Sequence, residues 1–552
     1  MKKTGILYVY GGPEFHPTEW AGKQLTAFLK ADGRFELEMT TDLDAFAALP
    51  DGRYAAVVLY TTGFKDDLTP AREKGLLQFV KNGGGFVGIH SAADSFRGSR
   101  PYVEMLGGEF LTHPHHHEFP VNIITKNHYM TVRMPDSYTA FDEMYHLQNH
   151  DPSTVTLLAQ TSWQGEQKPM AYAKDYGKGK VVYLAPGHTT QAWNHPEFRK
   201  LLIRAIAWTT GATQKNKSIQ CGLLGYGPSF GMGKGHAEWI SSINGLRTVA
   251  MCDTVSARVE AAKQELPGLK GYFTRLEDML ALKDLDLVVN ILPHNLHAAT
   301  TMQCLKAGKH VVLEKPFCIT TAEANAMIAR ARRKKLMLSL FHNRRWDGDY
   351  LTIKDIIRRG LIGAIFHIEC GIMSYAHPRF WWRSDKKMSG GIMYDWGAHF
   401  IDWILNLVPD AKMVQVTGDF QKRVWHSVTN EDHGQAWIRF DNGVTADFMV
   451  SSIAANTRPK WRILGTAGAI EADWKTIKLT SHAAGVKQES EIEVTLPSYG
   501  TTEYYRTVAD HLLMGEELAV TPEQARRVIA VVETAEKSSQ AGRSLPVPEG
   551  CE

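Results

Sequence analysis

The apolar residues 311–313 run straight into Glu314, Lys315 and Pro316. A carboxylate, an ammonium and a proline at a strand tip suit a ligand site, because parallel strands bind ligands at their carboxyl ends. A surface ion pair is the plainer alternative. Asp395 and His399 stand four apart, so a helix puts both on one face. An imidazole near a carboxylate suits proton transfer at neutral pH, although a lone helical Asp/His pair is more often structural. The first 211 residues carry another set: His90, His113, His115, His116, His117, His146, His188 and His195, with Glu143 and Asp94. That stretch has no cysteine, which excludes thiolate chemistry there.

Two functions suit the histidines. Imidazole and carboxylate are the ordinary ligands of a divalent metal, with His90, His113, His188 and Glu143 as candidates. The same groups can serve as general acids and bases without metal, His90, Glu143 and His188 foremost. No tight spacing such as HExxH favours the metal, and residues 113–118 (HPHHHE) also suit a solvated loop.

Gly225 and Gly227 follow an apolar run and precede a helical one. Glycines there let backbone N–H groups approach a pyrophosphate, aided by the helix N-terminus. Asp253 ends the next strand-like run, where a carboxylate accepts from both ribose hydroxyls and repels a 2′-phosphate. NAD is therefore expected rather than NADP. The loop GYGPSFGMGKGH is longer than plain GxGxxG. It is not a P-loop, since Gly235 rather than a hydroxyl follows Lys234.

These groups need elements to position them. Before residue 211, strand-like runs at 5–10, 54–60 and 85–89 alternate with helical runs at 21–30 and 71–81, predicting a doubly wound parallel sheet over 1–213. A polar linker occupies 211–218 (GATQKNKS). Five further strand-like runs alternate with helices over 219–340, a Rossmann pattern. From 341 to 552 hairpin signals take over, with Asp441-Asn442-Gly443 as a turn, predicting an α+β domain with a mainly antiparallel sheet.

The whole chain, 552 residues, exceeds one core. Its 22% charged and 44% hydrophobic residues are ordinary for a folded protein. A net charge of +3 gives no electrostatic case for nucleic acid or membrane. Six cysteines without CxxC spacing read as reduced thiols. No apolar run reaches the roughly 18 residues that span a bilayer. Gly11, Gly12 and Pro13 break the N-terminal run, unlike a signal peptide. A cytoplasmic location is expected.

Residues 219–545 resemble the Gfo/Idh/MocA family of NAD(P)-dependent oxidoreductases. The likeness is carried by the glycine loop, Asp253, LPHNLH (292–297), AGKHVVLEKP (307–316) and GGIMYDWGAHFID (390–402). It implies NAD held by Gly225, Gly227, Ser229, Asp253, Pro293, His297, Glu314, Lys315, Asn343 and Arg383. It implies that Lys315 faces the nicotinamide and polarises a sugar hydroxyl. Asp395 then contacts the sugar, and His399 serves as acid/base. Family members commonly dimerise through an open sheet face, so a homo-oligomer is expected.

Residues 1–211 resemble the ThuA (trehalose utilisation) family, similar in fold to flavodoxin-like class I glutamine amidotransferases. The likeness is carried by GGGFVGIHSAAD (83–94), GGEFLTHPHHHEFPVNI (107–123), DEMYH (142–146) and YGKGKVVYLAPGHTTQAW (176–193). His90 stands where an amidotransferase carries its cysteine. ThuA-type proteins are associated with oxidation of disaccharides to keto sugars. The fusion therefore implies oxidation of a carbohydrate at C3, followed by elimination of the C1 substituent in the first domain, with or without a metal holding the enolate. Two alternatives stand beside it: a simple sugar or inositol dehydrogenase with a non-catalytic first domain, and an NAD-binding regulatory sensor. Retention of Lys315, Asp395 and His399 argues against the sensor.

Overall fold

The computed structural model describes residues 3–63, 67–213, 218–498 and 500–552, without the side chains of Ser229 and Ala483. Residues 214–217 of the expected linker lie outside the described residues. The chain forms two compact units, Met1–Lys215 with Met514–Glu517, and Asn216–Leu513 with Leu518–Glu552.

The first unit is built on strands of near-continuous apolar character. Ala56–Tyr60 and Gly85–Ile89 are buried at every residue, as strands covered on both faces must be. Each fully buried Val or Leu side chain contributes about 1.5–3 kcal/mol. Phe35–Thr40, Thr4–Tyr10, Ala56–Tyr60, Gly85–Ile89 and Gly179–Leu184 lie in that order, all parallel. Four antiparallel strands then extend the sheet: Glu166–Tyr176, Thr156–Trp163, His117–Ile123 and Ser137–Asp142. This half goes beyond the alternation read from sequence. Ser137–Asp142 buries every second residue, the period of a strand with one solvated face, and such strands lack the apolar runs that mark the parallel ones.

The second unit opens with six parallel strands in the order Gly271–Phe273, Leu246–Cys252, Ile219–Leu224, Leu287–Asn290, His310–Leu313 and Leu338–Leu340. The order reverses beside Ile219–Leu224, the switch point at which such sheets bind dinucleotides. Gly271–Phe273, three residues long, is the strand that sequence reading missed. A nine-stranded, mainly antiparallel sheet follows. Its hairpin of His433–Phe440 and Thr445–Ser451 turns at Gly443 (φ +87°). Helix Met393–Leu407 packs against Thr445–Ser451 and the long helix Pro522–Ala541. One continuous core runs through both parts of this unit. All six cysteines are free and buried. Among the described residues no helix is long and apolar enough to cross a membrane.

Candidate functional site

Strand His310–Leu313 carries Lys315 past the carboxyl edge of the parallel sheet, and the Lys315–Pro316 peptide is cis. The Lys315 ammonium pairs with Asp395 Oδ1 and lies 3.3 Å from the Asp395 carbonyl oxygen. Arg383 donates to the same Oδ1 at 2.9 Å. Burial pushes the Asp395 carboxyl up, but the charges of Lys315 and Arg383 outweigh it and hold it well below the usual carboxylate range. Asp395 stands in the first turn of Met393–Leu407, where the helix dipole also favours an anion. His399, one turn further along the same face, is 5% exposed. Burial, then the charges of Lys315 and Arg344, hold its pKa well below the usual imidazole value. A neutral imidazole can remove an alcohol proton, and an ammonium held by a carboxylate can stabilise the oxygen left behind.

The neighbouring side chains brace this arrangement. Glu314 Oε2 accepts from the Lys315 N–H at 3.0 Å, and Oε1 lies 3.1 Å from His236 Nε2, whose ring in turn contacts Tyr505 Oη at 2.6 Å. His297 places Nδ1 2.7 Å from the Pro316 carbonyl and Nε2 2.8 Å from that of Leu292. His294 holds the Ser389 carbonyl at 2.7 Å through Nδ1 and leaves Nε2 buried without a partner.

The glycine loop fits a dinucleotide. Gly225 has φ +105°, and a Cβ there would lie 3.2 Å from Ile291 backbone carbon. A Cβ on Gly227 would meet nothing closer than Arg258 at 3.8 Å, so that position is open. Asp253 ends its strand and accepts from Tyr226 N–H at 2.8 Å and Val255 N–H at 2.9 Å. Arg258 approaches the same carboxylate at 3.3 Å. Phe230 (φ +61°) projects from the loop, its ring 5.1 Å from the Arg383 guanidinium.

A second cluster lies in the first unit. His90 directly follows Gly85–Ile89 with φ +47°, an uncommon conformation for a residue with a side chain. Its Nδ1 meets the Ala185 carbonyl at 2.8 Å, and the Tyr145 ring lies tilted against it with the centroids 3.8 Å apart. Buried Asp142 accepts from the backbone N–H groups of Gly187 (2.6 Å), His188 (3.3 Å) and Thr189 (2.9 Å), fixing the turn that carries His188. Glu143 Oε2 lies 3.3 Å from His90 Nε2 and 3.2 Å from His188 Nδ1. Its Oε1 lies 3.6 Å from His113 Nε2 and 3.5 Å from His116 Nε2. Burial pushes the Glu143 carboxyl up, yet His188 and His90 outweigh it and hold it well below the usual range. His16 completes the cluster, its ring 5.2 Å from His90 and 4.7 Å from His188. Burial first, then the neighbouring His90 and His188, lower its pKa to about 3. A cleft of about 350 Å³ opens beside His188, lined by Phe15, His116, Phe141 and Thr189 among others.

Comparison with known proteins follows this division. Residues 6–209 match the family model for trehalose utilisation, ThuA. Residues 219–342 match that for the oxidoreductase family with an NAD-binding Rossmann fold, and 350–471 that for the GFO/IDH/MocA C-terminal domain. The scyllo-inositol 2-dehydrogenase (NADP(+)) IolW of Bacillus subtilis is 30% identical, covering 60% of this chain and 97% of that protein. The chain belongs to the Gfo/Idh/MocA family of oxidoreductases. The myo-inositol 2-dehydrogenase of Thermotoga maritima is 23% identical over 60% of this chain and 99% of its own. The crystal structure of an NAD-binding protein from Listeria innocua superposes with a TM-score of 0.54 at 29% identity, covering 61% of this chain and 98% of that one.

In the Gfo/Idh/MocA part the structure sets Lys315 and Arg383 on Asp395, with His399 one helical turn further along the same helix. Glu314 and His297, expected at the cofactor, spend their polar atoms on His236 and on backbone groups of the turn. Pro293 precedes the short turn His294–Leu296, and Asn343 is buried at the start of the turn Asn343–Trp346. The Ser229 side chain lies outside the described residues. Two further residues near these groups, His294 and Arg258, were not singled out from the sequence. His294 sits inside LPHNLH, and Arg258 lies in the first turn of the helix Ser256–Glu265 that follows Asp253. In the ThuA domain sequence reasoning missed His16, although His16 follows the first strand, where ligand-binding residues collect. His113, expected as a metal ligand, is about one-third exposed and faces the other oxygen of Glu143. His117 bonds the His115 carbonyl, His195 caps helix Pro196–Thr209, and Asp94 pairs with Arg97.

Proposed function

We propose that this Gfo/Idh/MocA chain oxidises a ring hydroxyl of a sugar or cyclic polyol, with NAD as acceptor. The observation that carries the reading is the Lys315 ammonium held on Asp395 one helical turn from a neutral His399. A nicotinamide cofactor bound at the glycine loop would supply the acceptor for the hydride of the carbinol carbon. His399 takes the hydroxyl proton, and Lys315 stabilises the oxygen as the C–O bond becomes a carbonyl. Asp395 and Arg383 keep the ammonium in place. The inositol dehydrogenases of Bacillus subtilis and Thermotoga maritima support the substrate class. Asp253 supports NAD. Arg258 beside it, and the NADP named for the Bacillus relative, make NADP the second candidate.

The reading extends to C3 of a pyranoside and to the ThuA domain. A C3 ketone acidifies the C2 proton. A histidine removes it, the C1 substituent leaves with its bonding electrons, and water then adds at C1. The imidazoles around Glu143, beside a cleft flanked by Phe15 and Phe141, support this second step. Self-association rests on the family resemblance, and sedimentation of the intact chain tests it.

The test mixes intact protein and NAD with inositols and a panel of glucosides, following absorbance of the reduced cofactor and release of the aglycone. Reduced cofactor without aglycone would overturn the cleavage step and leave a simple dehydrogenase. No reduced cofactor with any polyol, given measured NAD binding, would make the chain a sensor.

A further inference from the structure

Among the described residues of the ThuA domain four imidazole nitrogens are buried without a hydrogen-bond partner, and three of them, His16 Nε2, His90 Nε2 and His188 Nδ1, belong to one group that the fourth, His146 Nε2, does not join. An unpartnered buried polar atom costs about 1–3 kcal/mol, and here three converge. Two other ring atoms are fixed from behind. His90 Nδ1 meets the Ala185 carbonyl, which leaves Nε2 as the lone-pair nitrogen. His16 Nδ1 meets Thr62 Oγ1 at 2.7 Å, which allows the same for its Nε2. A histidine whose far nitrogen is held by a carbonyl or hydroxyl is the usual arrangement behind a metal ligand. Glu143 Oε2 stands 3.2–3.3 Å from His188 and His90, yet neither nitrogen is aligned to donate to it. One ligand atom from each of His16, His90, Glu143 and His188 falls within 4.8 Å of all the others. Ligands about 2.0–2.1 Å from a tetrahedral ion stand about 3.3 Å apart.

We propose that His16, His90, His188 and Glu143 bind one divalent first-row transition metal, and that the cleft beside His188 admits a hydroxy-ketone to it. Three imidazoles and one carboxylate suit zinc, iron, cobalt or nickel and disfavour magnesium or calcium, which take oxygen ligands. Neutral imidazoles with one carboxylate leave a net positive ion, suited to vicinal oxygen atoms. His113 and His116 stay outside the set on the second oxygen of Glu143, half-exposed toward solvent. The ligand class rests on the oxidation proposed above; the metal site does not.

The test uses the full chain, stripped with chelator and dialysed against zinc, cobalt or magnesium, with metal counted by elemental analysis. One zinc or cobalt per chain and no magnesium is expected, cobalt showing the visible bands of a nitrogen-rich, low-coordinate site. Affinity should fall more than about 100-fold in Glu143→Gln and His16→Ala, and a His113→Ala/His115→Ala/His117→Ala triple variant should keep the metal. Circular dichroism confirms folding, and Glu143→Gln, nearly unchanged in shape, covers the case in which His16→Ala does not fold. Absence of retained metal, or metal lost in the triple variant and kept in Glu143→Gln, overturns the site. These counts need no substrate, so a failed metal site and a failed oxidation are read separately.

Discussion

Lys315 and Asp395 meet because a strand tip and a helix N-terminus converge, whereas His16, His90, Glu143 and His188 each follow a different strand of one sheet. The charge patterns differ as much as the construction. Asp395 faces a lysine and an arginine, so its charge is balanced and its position fixed. Glu143 faces only imidazoles, which balance it when protonated or when an ion sits among them. The first arrangement holds an ion pair beside a candidate base. The second leaves lone pairs and one negative charge directed at a shared point. The two sites should therefore fail in different ways.

Removing Lys315 should give the largest effect. Lys315→Ala is expected to slow cofactor reduction with a competent polyol by about 10²–10⁴-fold, while metal content in the ThuA domain stays at the wild-type level. Lys315→Arg should recover little, because a planar guanidinium does not reproduce a point charge at that distance. Equal rates in Lys315→Ala and wild type would remove the ion pair from the mechanism.

Asp142 sharpens the other side. It touches no proposed ligand atom, yet it accepts three backbone N–H groups of the turn carrying His188. An asparagine there would point N–H at N–H. Asp142→Asn should weaken zinc by about 10–100-fold in competition with a chromophoric chelator. Unchanged affinity would mean that His188 needs no such support.

The contrast also explains what the sequence disclosed. The glycine turn, the carboxylate at a strand end and Asp395/His399 at helical spacing are local patterns, legible because each has one backbone setting that makes sense of it. His16 belongs to no local pattern. Only the topology, which brings the ends of Thr4–Tyr10, Gly85–Ile89 and Gly179–Leu184 to one edge, places it beside His90 and His188. Glu314 and His297 show another limit. A polar residue at such an edge can serve a ligand, its own turn or both, and residue type does not separate these. The antiparallel extension of the first sheet escaped for want of apolar runs, and Gly271–Phe273 for its length.

Cofactor choice should respond less strongly. Asp253, just past its strand, and Arg258, in the helix that follows, face each other and pull in opposite directions. Asp253→Ala should relax the preference for NAD by about tenfold in kcat/KM, equivalent to roughly 1.4 kcal/mol. Arg258→Ala should weaken use of NADP and leave NAD nearly unaffected. A chain that already prefers NADP, and loses that preference in Arg258→Ala, would assign the guanidinium rather than the carboxylate as the discriminator.

The smallest expected effect is a displacement along the pH axis. A base works in its unprotonated form, so kcat/KM falls as pH drops through its pKa. Burial and the Lys315 charge both disfavour the His399 imidazolium, so the acid limb should lie below the ordinary imidazole value of about 6.5. Lys315→Met removes the charge and leaves the burial. The limb of the residual activity should then move to higher pH, by about one unit or less. Near pH 6 that changes the variant's rate relative to its own plateau only a few-fold, far less than its loss at the plateau. A limb at the same pH in both proteins would mean that Lys315 and the titrating base do not sense each other. The site would then have to be rebuilt around a different base, with His294, whose Nε2 is also buried and unpartnered, as the next candidate.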